Sequence, residues 1–331
     1  MVRPRPLRNP VPYLLSSPEP WVKYNTLLNI AGLDSEESEV QSVRADLLNH
    51  PRIAGLIREC ETWPDGVLKR HNDAGHVIHK IGLLADLGLK IGDPGVSEVA
   101  DAVLFNRSGK GMPLSNLLVP KSFGGDGVPC LGWMLCDAPL LIHALASFGL
   151  GGDAWVVEGA RFLASLVDDN GWRCRGSIPG FRGPGRKDDH CPYANLISLK
   201  ALSMFPELRG SEACRWGVET QLAHWEGREG RKIYMFGIGS TFAKLKYPNV
   251  WYDLLHVVEV LSRFPWARGD VRFMDMLELV NSRQEEGGGF VPGSVWRAYS
   301  GWSFGQKRET SPWLTYRIAM INVRMGAKFS F

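Results

Sequence analysis

Six stretches of this chain share one pattern, a run that is apolar at helical spacing and closes on Gly-Leu, Phe-Pro or Met-Gly. They cover residues 24–33, 74–89, 138–150, 194–206, 252–265 and 315–326. Their ends fall about 56–61 residues apart, which suits a repeated helical hairpin. Between them run more charged and more amphipathic helical patterns, at 39–58, 96–105, 154–168, 212–225 and 270–284. A helix that is apolar nearly all round belongs in an interior, and one with a polar face belongs at a surface. The alternation predicts an all-α fold, an α/α toroid of about six helical hairpins with an inner ring of apolar helices inside an outer ring. Open solenoids use shorter repeats, roughly 34–47 residues for helical types. The extra length lies in Gly-rich loops at 106–135, 170–190, 226–250 and 285–310. Loops of that length are uncommon unless they carry function. One short hairpin arm is expected at 232–236.

The apolar runs also carry start signals. Asp137 precedes Ala138-Pro139, Asp189 precedes Cys191-Pro192, and Ser311 precedes Pro312, while Asp73 and Asn249 open two more. An Asp, Asn or Ser cap followed by Pro in the first turn is a helix N-terminus. In a closed ring these N-termini share one rim.

Composition narrows the function classes. The chain has 331 residues, 44% hydrophobic and 22% charged, with a net charge of +3. It has no Lys/Arg block longer than two, so there is no nucleic-acid footprint. No run approaches the 18 or so apolar residues of a membrane span, and the first residues lack the apolar core of a signal peptide. Residues 1–20 read as a Pro-rich arm and 21–331 as a single toroid domain. The six cysteines include no Cys-x-x-Cys, which predicts a reducing cytoplasm.

Two constellations point to chemistry. Basic residues sit ahead of the apolar helices: Lys69 and Arg70, Lys121, Arg182 with Arg186 and Lys187, Lys244 and Lys246, Lys307 and Arg308. Joined to helix N-termini, they suit a phosphate or diphosphate. The second is Asp188, Asp189, His190 and Cys191. Asp189 oxygen and Cys191 thiolate could ligate Zn²⁺ from a helix start, with Asp253 or His256, three apart on one helix face, as a third ligand. Capping accounts equally for Asp189, and core packing for Cys191 and His256. The aromatic residues Tyr193, Trp251, Tyr252, Trp302, Trp313 and Tyr316 are expected to line a central cavity or to pack the core around it.

The segment GFRGPGRKDDHCPYANL resembles the loop-to-helix stretch of protein prenyltransferase β subunits. There a Gly-rich loop with Arg and Lys leads to Asp-x-Cys-Tyr. QEEGGGF at 284–290 is similar to the Gln/Gly/aromatic element that squalene-cyclase-type terpene cyclases share with prenyltransferases. The resemblance implies the α/α-toroid superfamily and an isoprenoid-like or other small apolar ligand. It implies Asp189 and Cys191 as metal ligands, and Arg182, Arg186 and Lys187 as diphosphate contacts; Arg308 is a substrate-binding candidate through its place among the basic residues ahead of the helices. Asp188 and Asp189 match the end of the cyclase acid motif, in which Arg186 replaces the first Asp. The segment differs from the prenyltransferase pattern in having Pro192 before Tyr193, and Asp253 where that family has His. Two other readings stay open: a non-catalytic ligand-binding toroid, and a carbohydrate-active α/α barrel.

Overall fold

The computed structural model describes residues 6–183, 186, 189–230, 232–233 and 235–330. Lys187 and Asp188, both singled out above, lie outside the described residues.

Fourteen α-helices form among the described residues: α1 (Val11–Leu15), α2 (Pro20–Thr26), α3 (Ser38–Leu48), α4 (Pro51–Cys60), α5 (Val77–Asp86), α6 (Val96–Phe105) and α7 (Ala138–Leu145) come first. Then follow α8 (Ala154–Ser165), α9 (Pro192–Leu202), α10 (Pro206–Arg209), α11 (Glu212–Glu226), α12 (Leu254–Leu261), α13 (Val271–Asn281) and α14 (Pro312–Arg324). Among the described residues the only sheet pairs β1 (Ser115–Leu117) with β2 (Cys130–Gly132), antiparallel, with Ser115 opposite Gly132. The all-α class expected from the repeat is therefore what forms. The hairpin lies at this pair, and no strand is assigned to the described residues of 232–236. Among the described residues no helix is long and apolar enough to cross a membrane.

Each apolar run becomes a helix, and the repeat's closing residues are its stop. Gly88, after α5, and Gly326, after α14, have φ of 91° and 92°, a left-handed turn that glycine alone enters without strain. The long charged pattern at 39–58 splits at Pro51, where proline sets a new helix start. Of the five start signals only Ser311 caps its helix: His76, not Asp73, caps α5, and Asp137 stands at the start of α7 with no side-chain capping bond. Ser311 caps α14 through Leu314 N at 3.2 Å, and Asp253, not Asn249, caps α12 through His256 N at 3.0 Å. For α9 the capping atom is Cys191 Sγ, 3.4 Å from Ala194 N, and not the Asp189 carboxylate.

The chain divides into two compact units. The first takes the described residues up to 54, then 239–249 and everything from 253 onward; the second takes 55–238 and 250–252.

In the first unit, α14 packs on α1, α2 and α12, and α12 packs on α13. The face of α12 presents Glu259, 1% exposed. Its Oε1 accepts from Arg263 Nη2 at 2.7 Å and lies 3.4 Å from Arg317 and 3.3 Å from Arg324. Asn281 and Asn322 exchange amide hydrogen bonds of 2.9 and 3.1 Å between α13 and α14. Buried charges and amides persist in an apolar interior only when paired in this way.

In the second unit α5 packs on α7, α7 on α9 and α9 on α11, while α8 lies against α7 and α9. Every residue of α7 and of α9 is buried. By contrast α8 buries one face, through Val156, Gly159, Ala160 and Leu163. This is the layering that the alternation of patterns predicts. The one lysine inside α9, Lys200, is 3.7 Å from Asp86 of α5, and both are buried.

Candidate metal centre

Three cysteines far apart in sequence converge in the second unit, and backbone pairing brings them there. The segment before α7 runs antiparallel to the loop before α9: Leu135 N donates to Arg175 O at 2.9 Å and Ser177 N to Trp133 O at 2.9 Å. That pairing sets Cys136 beside Cys174. The fit is close, since a Cβ on Gly176 would come 2.1 Å from the Met134 sulfur.

Cys191 is brought in by a second bond, its N donating to Trp172 O at 2.9 Å. Asn195, one turn into α9, locks the same place. Its Nδ2 donates to Trp172 O at 2.7 Å and its Oδ1 accepts from Trp172 N at 3.0 Å. The Trp172 indole is fully buried and donates to Leu163 O of α8 at 2.9 Å. The loop that carries Cys174 is thus bolted to two helices.

The three Sγ atoms of Cys136, Cys174 and Cys191 all lie within 4.8 Å of one another. Cys136 and Cys191 are buried and Cys174 is partly so, and all three are free thiols. Three thiolates around a tetrahedral zinc, at about 2.3 Å each, stand roughly 3.8 Å apart, so the set fits such an ion. Sulfur donors select zinc and other soft cations over magnesium or calcium. Among the described residues this is the only convergence of three or more such ligand atoms. The electrostatics agree with a shared anionic site. Cys191, accepting from Cys136 and Cys174 and from the first N–H groups of α9, is held well below the ordinary thiol range despite burial. Cys136 is pushed well above it by donating to the other two sulfurs and by burial.

The cluster forms part of the wall of a cavity of about 370 Å³. Leu68, Val119, Phe123, Met134, Phe181 and Trp251 supply much of the remaining wall. Leu68 reaches it because it joins the edge of β1, its N donating to Asn116 O at 2.8 Å. The same edge carries the next residues, Lys69, Arg70 and His71, to the cavity. His71 is held on two sides. Its carbonyl accepts from His79 Nε2 of α5 at 2.8 Å. Its Nδ1 donates to both Asp137 oxygens, at 2.9 and 3.0 Å. Burial pulls the His71 pKa down, and the charge and hydrogen bond of Asp137 outweigh it, leaving it raised. Asp137 sits at the N-cap of α7, yet its side chain makes no capping bond.

The sequence candidates divide among several places. Cys191 is in the cluster, and Asp189 is not: its Oδ2 accepts from Arg186 N, three residues earlier, at 3.0 Å. Asp253 and His256 belong to the first unit, where Asp253 caps α12. Trp251 lines the cavity. Tyr193 packs behind Trp251, ring centroids 4.6 Å apart, and donates to Val250 O at 2.8 Å. Tyr252 Oη lies 2.7 Å from His224 Nδ1. Arg182 and Arg186 are exposed. In the first unit Trp302 packs against Trp21, ring centroids 5.0 Å apart, and Trp313 stacks on Tyr316 at 4.9 Å, while Arg308 is exposed. Sequence reasoning missed Cys136, Cys174 and His71 as partners of Cys191. The available signal was the Gly-Trp pair that precedes both Cys136 and Cys174.

A scan against protein-family models finds no match, and a search of curated proteins finds no relative. Among solved structures, the type II terpene cyclase MstE from Scytonema is 13% identical, with a TM-score of 0.41 over 93% of this chain and 88% of that one. A variant of that cyclase in complex with geranylgeranyl dihydroxybenzoate matches at 13% identity and a TM-score of 0.41, over 93% and 87%. A protein from Actinoplanes matches at 13% and 0.39, over 93% and 90%.

Proposed function

We propose that the second unit binds zinc through Cys136, Cys174 and Cys191 and holds an apolar, isoprenoid-like substrate in the adjoining cavity. The convergence of three sulfurs beside that cavity is the observation that carries this reading. Bound there, zinc would supply a positive centre that lets all three thiols ionise and leaves one position open to substrate. The chain supplies the rest. Leu68, Phe123, Phe181 and Trp251 keep the tail out of water. Lys69 and Arg70 stand at the same cavity for an anionic head.

This set shares Cys191 with the one expected from the loop motif, with Cys136 and Cys174 in place of Asp189 and Asp253 or His256. The reaction class that fits is transfer of an alkyl or prenyl group to a soft nucleophile. No carboxylate lines the cavity among the described residues, which favours transfer over alkene protonation. It also favours an apolar substrate over a carbohydrate, whose hydrolysis calls for two carboxylates. The free thiols support a reducing compartment, the cytoplasm.

The test is metal content and ligand binding together. Protein purified without chelator is expected to carry one zinc per chain, and geranylgeranyl diphosphate to raise its melting temperature. Zinc-free protein that also fails to take up added zinc would end the metal reading. No thermal shift with the diphosphate would end the isoprenoid reading.

A further inference from the structure

We propose that Cys136 and Cys174 are a reversible disulfide pair, and that closing this bond, with hydrogen peroxide as oxidant, takes the metal centre apart. The bond itself follows from the pairing of two loops; its effect on zinc rests on the metal site proposed above.

The backbone sets the pair. Leu135 N donates to Arg175 O and Ser177 N to Trp133 O, and Met134 faces Gly176 across an antiparallel bridge. Residues 133/177 and 135/175 are therefore the hydrogen-bonded pairs, and 134/176 is the non-hydrogen-bonded pair between them. Two residues further along each segment, Cys136 stands opposite Cys174, at the next position of the non-bonded kind and on the face of Met134. Such pairs hold their Cα atoms about 4.5 Å apart, inside the roughly 4.4–6.8 Å that a disulfide spans. The two sulfurs already lie within 4.8 Å of each other. Gly183 limits where Cys174 can turn. A Cβ there would come 2.2 Å from Cys174 Cβ and 2.6 Å from its sulfur, so the loop packs directly on that side chain.

Cys191 is as near in space but is placed differently. It opens α9, where its Sγ accepts from Ala194 N at 3.4 Å and its N is tied to Trp172 O. It faces neither of the other two across paired segments. The pair that closes is therefore Cys136 with Cys174, and Cys191 stays a thiol.

All three cysteines line the cavity, and Cys174 alone among them is not buried. Peroxide thus meets Cys174 first. Its thiolate attacks one peroxide oxygen: an S–O bond forms, the O–O bond breaks, and hydroxide leaves and takes up a proton as water. The Cys136 sulfur then attacks the Cys174 sulfur. The S–S bond forms, the S–O bond breaks, and the hydroxyl departs with the Cys136 proton as a second water. Two thiols lose two electrons and one peroxide gains them. A set of three sulfurs is left with one, too few to hold zinc. In a reducing compartment such a bond is transient, and a dithiol reopens it by exchange.

The experiment treats the full chain, as purified and again after chelation, with hydrogen peroxide. Remaining thiols are blocked with iodoacetamide and the digest is mapped by mass spectrometry. The expected result in both is one bond, Cys136 to Cys174, with two of the six free thiols lost. Zinc should leave the purified chain as the bond forms, and zinc uptake should return with dithiothreitol. Cys191→Ser is expected to form the same bond, and Cys174→Ser to leave Cys136 unbridged. A bond to Cys191 in wild type overturns the proposal, as does oxidation to sulfinic acid with no bond, or full zinc uptake by the bridged chain. A reduced chain that takes up no zinc yet forms the Cys136 to Cys174 bond supports the pair and ends the metal reading, which tells the two apart.

Discussion

The two units treat their buried carboxylates differently. In the first, Asp253 and Glu259 serve the fold: Asp253 caps α12, and Glu259 gathers Arg263, Arg317 and Arg324. In the second, Asp137 holds the same place at the start of a buried helix as Asp253 does, but leaves α7 uncapped and turns to His71. Two sites alike in local sequence thus have unlike duties. A local rule kept marks structure; a local rule broken at a well-packed position marks a site. The difference is measurable, because a residue serving the fold should cost stability when removed, and a residue serving a site should cost binding.

The largest effect on the fold is expected at Glu259. Glu259→Ala leaves three arginines without their carboxylate, and burial already pulls Arg324 down to about 10. Breaking a buried pair from one side costs roughly 3–5 kcal/mol, to be read from urea unfolding. A loss under 1 kcal/mol would mean that the arginines are solvated, and the contrast between the units would weaken.

Asp253 gives a pH signature. Burial raises its pKa from 3.8 to about 7. Between those values the folded carboxyl keeps a proton that the unfolded one has lost. Stability is therefore full below about pH 4 and falls as pH rises through about 7, by at most roughly 4 kcal/mol. Asp253→Asn should flatten that part of the stability curve, and Asp253→Ala should in addition lose about 1 kcal/mol of capping. A wild-type curve that rises over the same range would contradict the assignment.

Asp137→Asn is expected to show the smallest change in stability, about 1 kcal/mol, because the amide keeps a hydrogen bond to His71 and no cap is lost. A destabilisation like that of Glu259→Ala would make Asp137 a structural residue and erase the comparison.

Much of the helical layout was legible in the sequence. Apolar periodicity, Asp or Ser before Pro, and Gly-Leu stops are local signals, and α6, α9, α11 and α14 follow them closely. Cys191 was legible too, through the loop motif and the helix start behind it. Its partners were not. Cys136 and Cys174 show no Cys-x-x-Cys spacing, and the bonds that join them, Leu135 N to Arg175 O and Cys191 N to Trp172 O, link loops whose pairing leaves no periodic trace. The same holds for His71, which reaches the cavity through one residue on the edge of β1. Asp253 and His256 drew notice as ligands because they share a helix face. That spacing serves equally for a cap and the N–H it binds.

The most direct test is the zinc content of four single variants beside wild type. The account predicts that Cys136→Ser, Cys174→Ser and Cys191→Ser each lose the metal, while His256→Gln keeps one zinc per chain. Zinc retained in Cys136→Ser and Cys174→Ser but lost in His256→Gln would contradict it.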